Sequence, residues 1–179
     1  SVTKKPLVIS GARQVGKTYS ILKFAKENYK SYLYVNFERD LDIKNFMDKT
    51  ANPKEIISYL EIAYPQINFE EGKTLIIFDE VQACPQALTS IKFLGSETKY
   101  DYIVSGSLLG IAIKHTSSYP VGYVESIEMK PMGFDEFLKA MNLKDQVILQ
   151  LKDYFEKGEP VNEMLHEKFM DYFRTYIIV

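Results

Sequence analysis

Two short stretches hold most of the chemistry this chain can do. The first is Gly11-Ala12-Arg13-Gln14-Val15-Gly16-Lys17-Thr18, which fits Gly-x-x-x-x-Gly-Lys-[Ser/Thr]. That spacing makes a loop whose backbone N–H groups cradle phosphates. Gly11 and Gly16 permit backbone angles and close approaches that a Cβ would block. The N–H groups then face an anion at the positive end of the following helix. Lys17 is placed to reach the β- and γ-phosphates of a nucleotide, and the Thr18 hydroxyl to hold Mg²⁺. The second stretch is Leu75-Ile76-Ile77-Phe78-Asp79-Glu80, four apolar residues followed by two carboxylates. At the C-terminal end of a parallel strand next to the loop's own, Asp79 would orient water on the metal held by Thr18. Glu80 would act as general base on an attacking water. Without that strand context, the same two carboxylates would simply cap the next helix.

Weaker candidates come next. Ser105 and Ser107 follow a further apolar run, so their hydroxyls either sense the γ-phosphate and position water or serve as helix N-caps. Asn36 ends another strand; it either holds Glu80 in an inactive rotamer or is an ordinary turn residue. Arginine is confined to Arg13, Arg39 and Arg174. An arginine completing a γ-phosphate site is one of these, or comes from a second subunit or partner protein. His115 and His166 stand alone, and Cys84 is the only cysteine, so neither a metal cluster nor an intrachain disulfide is expected.

These residues need a particular set of elements to position them. Leu7-Val8-Ile9 reads as a short buried strand before the loop, with a helix behind it that carries Ile21, Leu22, Phe24 and Ala25. Tyr32–Phe37 alternates as a second strand ending near Asn36, and Asp40–Asp48 is a short helix or turn. Asn52 caps the next helix, with Pro53 in its first position and Glu55 completing a capping box. Thr74–Phe78 is a continuous apolar strand of the kind buried on both faces of a parallel sheet. Pro85 opens a helix that Gly95 is expected to stop. Tyr100–Val104 and Val124–Met129 complete five strands, with an irregular serine-containing loop or frayed helix over 111–122 between them. Beyond Pro131 only helical patterns occur. The expected fold class is therefore α/β, a five-stranded parallel sheet with a helical appendage. The expected domains are a phosphate-binding core over 1–131 and a helical segment over 132–179.

Composition excludes other classes. Hydrophobic residues make up 46% of the 179, enough for a sizeable core. A net charge of −2 gives no general pull toward nucleic acid or an anionic membrane, and from Phe134 onward acidic residues outnumber basic ones. DNA contact is left open. No apolar run has the length of a membrane span. A cytoplasmic setting is expected. The start at Ser1-Val2-Thr3 and the apolar end at Ile177-Ile178-Val179 lead to the expectation of a piece of a longer protein.

Taken in order, the loop at 11–18, Tyr-Val-Asn-Phe-Glu at 34–38, Ile-Ile-Phe-Asp-Glu-Val-Gln at 76–82, Ser-Gly-Ser-Leu-Leu-Gly at 105–110 and Lys-Pro-Met-Gly-Phe-Asp-Glu-Phe-Leu at 130–138 resemble a prokaryotic AAA-type family of the AAA+ superfamily. The resemblance covers essentially the whole chain. It implies a P-loop NTPase three-layer sandwich, followed by a lid or winged-helix-like region and then a restriction-endonuclease-like domain. It implies ATP contact by Gly11 to Thr18, Mg²⁺ at Thr18 and Asp79, catalysis by Glu80 with Lys17, and a sensor at Ser105 or Ser107. Many relatives carry a basic residue after the glycine matching Gly122, where this chain has Tyr123. Three functions fit: Mg²⁺-dependent ATP hydrolysis coupled to conformational change, a nucleotide-dependent assembly switch with little turnover, or a structural piece that has lost nucleotide binding.

Overall fold

A computed structural model describes residues 5–107 and 122–178 of the chain. The loop or frayed helix expected over 111–122 lies outside those residues except for Gly122. The chain divides into two compact units, Ser1–Lys130 and Pro131–Val179.

In the first unit, β1 (Leu7–Ser10), β2 (Ser31–Asn36), β3 (Thr74–Asp79), β4 (Asp101–Gly106) and β5 (Glu125–Glu128) form one sheet. Its order is β2-β3-β4-β1-β5 and every pairing is parallel. Burial explains the order. β3 is buried along its whole length and β4 nearly so, and these two take interior places, with β1 beside β4. β5, with Glu125 and Glu128, is exposed throughout and takes an edge. One expectation is corrected here: β3 does not neighbour β1, because β4 lies between them. Asp79 is therefore two strands from the loop's own strand, and Ser105 occupies the strand between.

Alternation along the strands divides the core into two layers. One face carries Val35, Ile76, Phe78, Tyr102 and Val104 against α2 (Leu41–Met47), α3 (Pro53–Ala63) and α4 (Pro85–Glu97), which contribute Met47, Leu60 and Ile91 among others. The other face carries Leu75, Ile77 and Ile103 against Ile21 and Ala25 of α1 (Lys17–Asn28). Leu7, Ile9 and Tyr34 join that second layer as partly buried residues. The result is the α/β three-layer arrangement of a P-loop NTPase.

Local signals behave unevenly. Asn52 caps α3, its Oδ1 accepting from the Lys54 N–H at 3.0 Å, with Pro53 opening the helix. The capping box does not close as expected. Glu55 accepts instead from the Thr50 hydroxyl at 2.6 Å, and that hydroxyl accepts from the Asn52 N–H at 3.1 Å. A relay through Thr50 replaces the direct bond. Gly95 does not stop α4, which runs on to Glu97. Its role is close approach: a Cβ there would sit 2.5 Å from the Pro6 ring.

The second unit is three helices, α5 (Phe134–Ala140), α6 (Asp145–Lys157) and α7 (Glu163–Tyr176). Glu136 reaches back to the Gly133 N–H at 2.7 Å and fixes the start of α5. Phe137, Leu138 and Ile148 form a small core, edged by Phe134, Phe169, Tyr172 and Tyr176. α7 buries none of its residues fully, while Met164 and Phe155 are exposed.

Gly95→Ala should destabilise the protein by about 1–3 kcal/mol through overpacking against Pro6. In a Pro6→Ala background the same change should be neutral or stabilising, because alanine outperforms glycine in a helix interior by about 1 kcal/mol. Urea denaturation midpoints of the four proteins check this.

Candidate functional site

Parallel strands bring their C-terminal ends to one edge of the sheet, and side chains gathered there can share a ligand. The loop leaving β1 turns at Gly11, with φ 148°, where a Cβ would run into the Met129 carbonyl oxygen. The Met129 N–H in turn donates to the Ser10 carbonyl at 2.7 Å, so β5 fixes the exit of β1. Gln14 holds φ 65° without being glycine. A left-handed backbone costs such a residue on the order of 1–2 kcal/mol, and residues strained in this way cluster at functional sites. Arg13 and Ala12 are exposed at the loop tip, and Val15 and Gly16 are half-buried before α1.

Lys17 is only 7% exposed. Its Nζ donates to the carbonyls of Gly11 at 2.9 Å and Ala12 at 2.6 Å. A buried ammonium needs such partners, since each missing bond leaves charge unsolvated. The loop thus closes on its own lysine.

Asp79 is the most densely bonded group of the site. It is 2% exposed. Its Oδ2 accepts from Thr18 Oγ1 and from the Tyr34 hydroxyl, both at 2.8 Å. Its Oδ1 accepts from Ser105 Oγ at 2.5 Å and from the Glu80 N–H at 3.0 Å. Four donors occupy the roughly four lone-pair sites of a carboxylate. Burial alone would push its pKa up. The bonds from Ser105, Tyr34, Thr18 and the Glu80 N–H outweigh burial and hold it below the usual carboxylate range. Burial, reinforced by the bond to Asp79, pushes the Tyr34 phenol up to about 12, so it stays a donor.

Glu80 follows in a left-handed conformation, φ 52°, at the head of a 3₁₀ turn over Val81–Ala83. That turn folds Gln82 back, and its Nε2 donates to Glu80 Oε2. Of the two alternatives for Asn36, the turn residue is the one found, and it makes no bond to Glu80 among the described residues. Asn36 Oδ1 instead accepts from the Glu38 N–H at 3.0 Å, and its Nδ2 donates to the Tyr34 hydroxyl at 3.4 Å. Asn36 therefore touches the Asp79 network through Tyr34, and Gln82 is the partner of Glu80. Sequence reasoning missed both Tyr34 and Gln82. The signal for Tyr34 was its position on the α1 face of β2, two residues before the strand ends.

Ser105 lies inside β4, so it caps no helix. Ser107 Oγ is shielded from solvent and has no hydrogen-bond partner among the described residues. Of the arginines, Arg39 is exposed, yet its charge reaches the Tyr34 phenol. Arg174 pairs with Asp171 at 3.0 Å in the second unit. Tyr123 is 59% exposed. His166 is exposed and His115 lies outside the described residues. Among the described residues no group of three His, Cys, Asp or Glu could hold a metal by itself. A hydroxyl beside one carboxylate instead fits a hard cation that draws its remaining ligands from phosphate and water.

The depressed Asp79 pKa has a consequence for stability. A carboxyl whose folded pKa lies below its unfolded one stabilises the fold above the unfolded value, about 3.9, and loses that contribution as pH falls through the folded value. Asp79→Asn should remove this share. Between pH 5 and pH 3 the parent should lose more stability than the variant, as read from urea midpoints across that range.

Residues 3–138 match the family model described as AAA domain. Comparison with curated proteins gives no significant match. No described helix is long and apolar enough to cross a membrane. With a match over most of its length and a parallel five-stranded sheet that gathers the loop, Asp79 and Ser105 at one edge, the chain belongs to the AAA domain family, a class of nucleotide-binding ATPases.

Proposed function

We propose that this site binds ATP with Mg²⁺ and hydrolyses it. The observation that supports this most directly is the 2.8 Å bond between Thr18 Oγ1 and Asp79 Oδ2. It joins the helix after the glycine loop to the acidic end of β3, which is where a metal-bound triphosphate needs both. The loop N–H groups from Ala12 to Thr18 would take the phosphates at the N-terminus of α1. Lys17 would exchange the Gly11 and Ala12 carbonyls for phosphate oxygens. Thr18 and Asp79 would hold Mg²⁺, which when bound neutralises charge on the phosphates. Glu80 would accept a proton from the attacking water. The Ser107 hydroxyl, which has no partner among the described residues, would face the γ-phosphate, with Ser105 holding Asp79.

A second reading has a specific observation in its favour. The Glu80 carboxylate is engaged by Gln82, and among the described residues no arginine side chain hydrogen-bonds to Asp79, Glu80 or Tyr34. In this reading the site is half of a composite one. A second copy or a partner protein would supply an arginine, and nucleotide binding would govern assembly with little intrinsic turnover.

Glu80→Gln separates the two. Hydrolysis predicts that the variant retains ATP binding and loses turnover; equal turnover in variant and parent would sink the catalytic assignment. The switch predicts Mg-ATP-dependent growth in mass, by light scattering, that survives the same substitution. Gln82→Ala should free the Glu80 carboxylate and raise basal phosphate release by about tenfold, the worth of a hydrogen bond to a charged group. Unchanged or lower release would show that Gln82 does not restrain it.

A further inference from the structure

We infer that Tyr34 is a positioning residue for the metal-site carboxylate, with Asn36 setting the direction of its hydroxyl. The inference rests on the reading of Thr18 and Asp79 as the Mg²⁺ pair. Register makes the contact possible. Asn36 lies opposite Asp79, and Tyr34 opposite Ile77, on neighbouring strands. Tyr34 and Asp79 are thus diagonal neighbours on one face of the sheet. Such pairs stand about 7–8 Å apart, within reach of an aromatic side chain and beyond a short one. The ring packs in the α1 layer beside Ile77, and the hydroxyl alone extends to Asp79 Oδ2.

The bond matters because Oδ2 is also the oxygen that faces Thr18. Ser105 and the Glu80 N–H hold Oδ1 from the β4 side. Without Tyr34, Oδ2 would keep only Thr18, a donor that itself belongs to the metal pair. The carboxylate could then rotate about its Cβ–Cγ bond toward β4. Tyr34 therefore supplies the one bond on Oδ2 that comes from outside the glycine loop and α1. Asn36 makes that bond directional. Its amide donates to the phenol oxygen, so the phenol proton is left to point at Asp79. The Glu38 N–H, by donating to Asn36 Oδ1, fixes which end of the amide does this. Groups behind a metal ligand commonly govern its metal affinity in this way.

The test is nucleotide binding measured with and without metal, using a fluorescent N-methylanthraniloyl-ATP. Tyr34→Phe keeps the ring and removes only the hydroxyl. It should raise the Mg²⁺ concentration needed for half-maximal binding by about tenfold. Binding in EDTA should match the parent, and thermal unfolding without ligand should show an intact fold. Asn36→Ala, which leaves the phenol in place, should shift the Mg²⁺ requirement in the same direction and by less. An unchanged Mg²⁺ requirement in Tyr34→Phe overturns the role of Tyr34 alone. An equal loss with and without Mg²⁺ also overturns it, since that is a general packing effect. If the parent itself binds equally in Mg²⁺ and EDTA, the metal reading of Thr18 and Asp79 falls, and Tyr34 falls with it.

Discussion

The constraint on which the rest of this structure depends is one buried carboxylate. Asp79 cannot keep its charge inside the sheet edge unless every lone pair finds a donor. The four it has come from four places: α1 through Thr18, β2 through Tyr34, β4 through Ser105, and its own chain through the Glu80 N–H. Three elements besides β3 must therefore arrive in register at the same point. A one-residue slip in either neighbouring strand would turn Tyr34 or Ser105 to the opposite face. The apolar alternation that builds the two core layers prevents that slip. Hydrophobic burial sets the register, and the register delivers the donors.

Strand order follows from the same requirement. With β4 between β1 and β3, the strand of the glycine loop and the strand of Asp79 are held apart by the width of one strand. That gap is bridged on one side by Ser105 and crossed above by Thr18, at the start of α1. Were β1 and β3 adjacent, Ser105 would have no place between them. The near-complete burial of β3 and β4 goes with their interior places, and the exposed carboxylates of β5 with its edge.

Much of this was legible in the sequence because it is local. The glycine loop, the apolar run before Asp79, the Asn52 cap and the proline helix starts are each written within a few residues. The α/β class follows from strands and helices alternating. What was not legible depends on residues far apart in the chain. Nothing near Leu75–Asp79 says that β4 rather than β1 lies beside it. Gly95 has the sequence look of a helix stop, but its reason is Pro6, far away in the chain and just ahead of β1. Asn36 and Gln82 are both amides that could reach Glu80. The left-handed turn at Glu80, invisible in the sequence, folds Gln82 onto it and leaves Asn36 to Tyr34.

The site's two central charges are already satisfied within the fold. Lys17 is bonded to the carbonyls of its own loop, and Asp79 has four donors. A nucleotide entering here exchanges bonds and does not create them from unpaired groups, so its affinity is a difference between two hydrogen-bonded arrangements. Charge decides the direction of that exchange. Lys17 would give up neutral carbonyls for charged phosphate oxygens, which make the stronger bond. Asp79 would exchange the neutral Thr18 hydroxyl for water polarised by a divalent cation, with Tyr34 and Ser105 still holding it from behind. Each exchange replaces a neutral partner with a charged or polarised one, and a cation between them relieves the repulsion between the phosphates and the Asp79 carboxylate. Phosphate and metal are then expected to favour one another's binding, through the short link from Lys17 to its chain neighbour Thr18 and on to Asp79.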